Sequence, residues 1–136
     1  MVNGWDAYVT GKNGFVGRGG IEKGGIFGQN DGKVWAEVKL SKISSQEVLK
    51  IVETYNGDSS AFSNGIYLEG ERYTLLRMDP FDGFIQARST NEDGRSVSIV
   101  QTKQAIFVAI SECDGNGGSV SVTLGKVVDY VRKQGF

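Results

Sequence analysis

The sequence predicts an α+β fold: a central antiparallel sheet of six or seven strands, with the N- and C-terminal helices packed on one face. Three observations predict it. Short runs of β-forming residues follow one another between Gly65 and Ile110, separated by only a few residues, which favours antiparallel neighbours. Helical apolar periodicity appears near both ends of the chain and once near its middle. The run Ala105-Ile106-Phe107-Val108-Ala109-Ile110 is nearly all apolar, as a central strand covered on both faces must be.

The elements follow in order. Gly4 to Thr10 reads as a short helix because Trp5, Tyr8 and Val9 recur at i, i+3 and i+4, with Gly11 and Gly14 to stop it. Asp31-Gly32 is a tight-turn signal between Gly25-Ile26-Phe27 and Val34-Trp35-Ala36-Glu37-Val38, the two strands of a hairpin. Ser44 and Glu47 make a capping box, and Val48, Val52 and Tyr55 give the stripe of a helix that Asn56-Gly57 ends. Strands then read over 65–68, 72–77, 84–88, 95–100 and 105–110. Val120, Leu124, Val127, Val128 and Val131 share one face of a last helix, with Arg132 and Lys133 near its C-terminus, where cations are favoured. Tyr130 lies roughly 100° from the centre of that stripe, so it stands half exposed at the edge of the buried face.

A chain of 136 residues with no linker or repeat reads as one domain, 1–136. Its net charge of -1 gives no reason to expect a nucleic-acid partner. No apolar run approaches membrane-spanning length, and no apolar stretch follows a basic start as in a signal peptide. Histidine is absent, which excludes Ser-His-Asp and Cys-His catalysis and His-containing metal sites. The lone Cys113 forms no internal disulfide, suits a reducing compartment, and reads as an inert thiol. We therefore expect no catalytic residue, cofactor or metal.

The glycine-rich Gly17-Arg18-Gly19-Gly20 fits no phosphate-loop register and reads as turns between strands. Asp79, Asp82, Glu92, Asp93 and Asp114 lie near turns, where solvation and turn chemistry account for them better than a paired-carboxylate hydrolase does. Arg72, Arg77 and Arg88 sit on successive strands: either a docking face for an acidic partner or phosphate, or a solvated sheet face. Trp5, Tyr8, Trp35, Tyr130 and Phe136 crowd the chain ends and the hairpin. Either they fill the helix–sheet core, or they line a groove of the kind that takes polyproline helices. A small longin- or roadblock-like interaction adaptor is the alternative reading of the whole.

The order and spacing of several segments resemble the profilins almost end to end. They are Gly4-Trp5-Asp6-Ala7-Tyr8-Val9, Val34-Trp35-Ala36, Asn64-Gly65-Ile66-Tyr67-Leu68-Glu69-Gly70-Glu71-Arg72-Tyr73 with Leu76-Arg77, Thr102-Lys103, Gly117-Gly118, Asp129-Tyr130-Val131 and Gln134-Gly135-Phe136. The resemblance implies a cytoplasmic, monomeric actin-monomer-binding protein that regulates polymerisation and docks proline-rich proteins such as formin-type elongation factors. It assigns the proline-rich site to Trp5, Tyr8, Trp35, Tyr130 and Phe136. It assigns actin contacts to Arg72, Thr74, Leu76, Arg77, Arg88, Gly118, Ser121 and Lys126, and phosphoinositide contacts at a membrane surface to Arg88, Arg132 and Lys133. Thr90 and Val122 stand where the better-known animal pattern has basic residues, and Lys126 where it has an acidic one. Charge changes opposite a fixed partner imply a weaker actin contact than in those relatives.

Overall fold

A computed structural model describes residues 5–10, 14–79 and 81–135, with Asp6 through its backbone alone. Gly4, Gly11 and Phe136, each used in the readings above, lie outside the described residues. The elements run α1 (Asp6–Val9), β1 (Ile21–Gly28), β2 (Val34–Val38), α2 (Ser45–Tyr55), α3 (Ser60–Asn64), β3 (Ile66–Leu68), β4 (Glu71–Asp79), β5 (Phe84–Ser89), β6 (Ser96–Gln101), β7 (Ala105–Ser111) and α4 (Gly117–Lys133). The strands make one sheet in the order β2-β1-β7-β6-β5-β4-β3, and every neighbouring pair is antiparallel.

β7 shows why the sheet is covered twice. All seven of its residues are buried. Ala105, Phe107 and Ala109 join Val9, Phe15, Ile26, Val120, Leu124, Val128 and Val131 in one core. The alternate residues Ile106, Val108 and Ile110 join Val48, Ile51, Ala61, Tyr73 and Ile85 in the other. Side chains of a strand alternate between faces, so one strand serves both layers. α1 and α4 thus lie on one face, and α2 and α3 on the other.

The capping box at α2 is present: Ser44 Oγ accepts from Glu47 N at 3.1 Å, and Glu47 Oε1 accepts from Ser44 N at 3.0 Å. The same carboxylate also accepts from Glu69 N at 3.0 Å and Gly70 N at 2.9 Å, which ties the helix start to the β3–β4 turn. The buried stripe is Val48, Ile51 and Thr54, with Val52 and Tyr55 half-buried beside it. Thr54 tolerates burial because its hydroxyl donates to Lys50 O at 3.1 Å. Tyr55 reaches across to donate to Gly83 O at 2.8 Å, and burial pushes its phenol well above the usual range.

Three readings need correction. α3 was not expected; its five residues bury only Ala61, too little to show as periodicity. α4 begins at Gly117, three residues before the apolar stripe, because Asn116 Oδ1 accepts from Gly118 N at 2.8 Å and Ser119 N at 3.1 Å. That cap offsets two glycines in the first turn. β1 extends to Ile21, and the segment before it is more than spacer. Gly19, at φ +57°, comes so close to α4 that a Cβ there would lie 2.0 Å from Thr123 Oγ1. Gly24 of β1 likewise leaves room for the Phe15 ring, which a Cβ would meet at 2.3 Å.

Candidate functional site

The aromatic side chains form a continuous row. Trp35 on β2 and Trp5 at the start of α1 have ring centroids 4.9 Å apart; Trp5 and Tyr8 follow at 5.7 Å, Tyr8 and Tyr130 of α4 at 5.9 Å. Each element supplies its part for a local reason. α1 turns Val9 into the core, which leaves Trp5 and Tyr8 half-buried along its flank. Trp5 also meets Phe107 edge-on at 6.5 Å, so the row is anchored on the central strand. Tyr130 is 52 % exposed, at the margin of the buried α4 stripe where periodicity places it. Trp5, Tyr8, Trp35 and Tyr130 are thus brought together; Phe136 is outside the described residues.

Beyond Tyr8 and Tyr130 the row opens into a cleft of about 460 Å³, lined also by Arg18, Thr123 and Lys126. Sequence reasoning passed over Arg18, because it sits in a stretch read as turns. The signal that finds it is Gly19, whose missing side chain lets that turn pack onto Thr123.

A second surface lies on the same side of the sheet, across α4. Ser121, Gly125, Asp129 and Arg132 border a crevice with Arg77, Asp79 and Phe84. Lys126 and Tyr130 project to the opposite flank, as 100° per residue requires. On the sheet, Thr74 pairs with Arg88 and Arg77 with Gln86, and a bulge at Leu76 falls between these pairs. The Arg77 guanidinium stacks 5.5 Å from the Phe84 ring centroid. Leu76, in the bulge, is 56 % exposed. Thr74, Leu76, Arg77, Arg88 and Ser121 are therefore on or beside one surface, and Gly118 precedes Ser121 by three residues in the first turn of α4.

Two of the named residues are engaged within the fold. Arg72 donates through Nε to Asn64 O at 2.8 Å and through NH2 to Ser63 O at 3.2 Å, at the C-terminal end of α3. Ser121 Oγ donates to Gly117 O at 2.8 Å and lies 3.0 Å from Ser98 Oγ, pinning α4 to β6. Lys126 stands apart from the other actin candidates, on the Tyr8–Tyr130 side of α4. Nor are the phosphoinositide candidates a single cluster. Arg88 is paired with Ser96 at one end of β6. Arg132 donates to Gln101 O at 2.9 Å and Asp82 O at 2.8 Å at the other end, and Lys133 follows it.

Of the carboxylates, Asp79 does turn work: its Oδ1 accepts from Phe81 N at 3.0 Å. Cys113 is exposed. Among the described residues, no helix is long and apolar enough to cross a membrane.

This arrangement, a seven-stranded antiparallel sheet with an aromatic row between its terminal helices, has close counterparts. The family model described as Profilin matches residues 3–136, and the chain belongs to the profilin family. Profilin-A of Physarum polycephalum is 30% identical over 132 residues, covering 97% of this chain and 98% of that protein. Among solved structures, Acanthamoeba castellanii profilin II is 26% identical with a TM-score of 0.83, over 97% of this chain and 99% of that one. Mouse profilin IIa, solved in complex with a double repeat from the FH1 domain of mDia1, shares the fold at a TM-score of 0.84 and 21% identity, over 98% of this chain and 100% of that one.

Proposed function

We propose that this protein is a single-domain, non-catalytic, cytoplasmic adaptor that binds monomeric actin on one surface and a proline-rich segment on another, and so regulates actin polymerisation. The observation that carries the reading is the row Trp35–Trp5–Tyr8–Tyr130. Rings spaced 5 to 6 Å apart along a groove suit an extended helix that is already ordered before it binds. The indole and phenol groups add donors for proline carbonyls. The FH1 repeat held by the mouse relative supports the same reading.

Actin is assigned to the surface of β4, β5 and the start of α4: Thr74, Leu76, Arg77, Arg88, Gly118 and Ser121. Arg72 contributes there in part through the α3 end that it holds. The body of α4 separates this surface from the aromatic row, so both ligands fit at once. Lys126 takes the actin role only at the margin. Phosphoinositide contacts fall on two separate places, Arg88 and the Arg132–Lys133 end.

The test of the groove is a titration of intrinsic Trp emission with a proline decamer, paired with retention on a polyproline column. A saturable change and retention are expected; neither occurring sinks the groove. For actin, the protein in excess should lower the filament fraction in a pelleting assay. An unchanged pellet at large excess would reject that half of the proposal.

A further inference from the structure

We infer that actin is held at the α4 crevice chiefly through apolar contact, with Phe81 as the anchor and Leu76 and Val122 beside it. The inference rests on the actin reading above. The crevice, of about 360 Å³, runs between α4 and strands β4 and β5, and Phe84, Val100 and Val128 contribute to its wall. Large apolar side chains stand out in water around it. Val122 lies on the wall and is 60 % exposed. Leu76, also exposed, adjoins Arg77, and Phe81, 94 % exposed, adjoins Asp82; Arg77 and Asp82 both line the crevice. One exposed apolar side chain is ordinary on a protein surface, but several around one concavity mark a place where another protein sits. Gly125, on the same wall, leaves room for it over the middle of α4, where a Cβ would meet nothing within 4 Å.

The turn that carries Phe81 is pinned several times over. Asp79 Oδ1 accepts from Phe81 N at 3.0 Å and from Asp82 N at 3.3 Å. Arg132 donates to Asp82 O at 2.8 Å, and Tyr55 Oη and Gln101 N each donate to Gly83 O at 2.8 Å. The ring is thus held out in water by a backbone that loses little freedom when a partner covers it, as a binding anchor requires. Charge is the weaker candidate on this surface. Arg72 and Arg132 already donate to backbone carbonyls, and the Arg77 guanidinium stacks 5.5 Å from the Phe84 centroid. Asp79, Asp82 and Asp129 border the same crevice as Arg77 and Arg132, so the two signs oppose each other there. Burial of one Phe ring, by contrast, is worth about ten-fold or more in affinity.

Fluorescently labelled actin, kept below the concentration at which it polymerises, is titrated with the full chain. Phe81→Ser should weaken binding about ten-fold or more, and Val122→Ser about three-fold. Arg88→Gln should cost less than Phe81→Ser. Raising the salt from about 0.05 M to about 0.3 M should weaken the wild type less than about three-fold, because apolar contact is not screened. Both serine variants alter exposed side chains, and an unchanged melting curve and Trp emission spectrum confirm their fold. Wild-type actin affinity in both Phe81→Ser and Val122→Ser overturns the inference and leaves the actin reading standing. So does a larger loss in Arg88→Gln than in Phe81→Ser, joined to a steep salt dependence. If the wild type binds no actin, the actin reading itself fails and this inference falls with it. If both variants bind actin normally but no longer sediment with phosphatidylserine vesicles that the wild type binds, the patch belongs to a lipid surface and its assignment to actin is wrong.

Discussion

Glu47 illustrates how much one side chain can organise. A capping box predicts a single job for it, the backbone N–H of Ser44. The structure gives the carboxylate three backbone N–H partners, those of Ser44, Glu69 and Gly70. The β3–β4 turn needs that help, since Glu69 adopts φ +54° without being glycine. Glu47→Ala should therefore cost about 2 kcal/mol, more than an ordinary cap, because charge-assisted bonds to a strained turn go with it. Chemical denaturation checks this; a loss below about 0.5 kcal/mol would mean that the turn holds itself. Asp58 yields a pH prediction. Hydrogen bonds from Ser60, its backbone N–H first, and then from Lys50 lower its carboxyl from 3.8 to about 2. A folded value below the unfolded one stabilises fully above about pH 4 and is lost as pH falls through about 2. The melting-temperature gap between wild type and Asp58→Asn should close over that interval. A gap that persists at the acid end would contradict it.

At the scale of elements, α4 and the Gly17–Gly20 turn make one unit. Gly19→Val should push the turn off Thr123, since the close approach leaves no room for a Cβ and the backbone is left-handed. We expect a loss of about 2 kcal/mol in thermal stability, together with a change in Tyr130 surroundings seen by NMR. Unchanged stability would show that the turn has a second seat. This unit also marks the limit of what sequence conveys. The α2 cap and the α4 stripe are local patterns, readable from spacing. The approach of Gly19 to Thr123 joins residues far apart in sequence, and only the folded chain reveals it. α3 escaped for a different reason: one buried alanine in five residues makes no period. With α3 unseen, the carbonyls that hold Arg72 were unseen too, so Arg72 read as a free basic contact rather than one engaged at a helix end.

For the molecule as a whole, the two layers on the sheet were legible because β7 is apolar at every position but its last, Ser111, which demands cover on both faces. The row of rings was legible because aromatics at chain ends are rarely idle. Packing and the proposed binding are inseparable in Trp5, which touches Trp35, Tyr8 and Phe107 at once. Trp5→Ala should abolish polyproline binding and lower stability by about 2 kcal/mol. A variant that kept full polyproline affinity would remove Trp5 from the groove.

The contact that completes the row, Tyr8 against Tyr130, joins residues near opposite ends of the sequence. Contacts of such separation bear the largest loop-closure cost and form late. During synthesis, Trp5, Tyr8 and Trp35 emerge long before α4 exists to face them. On the proposed reading, a nascent or half-folded chain has only an incomplete row to offer, and a proline-rich partner captures chiefly molecules whose assembly is finished.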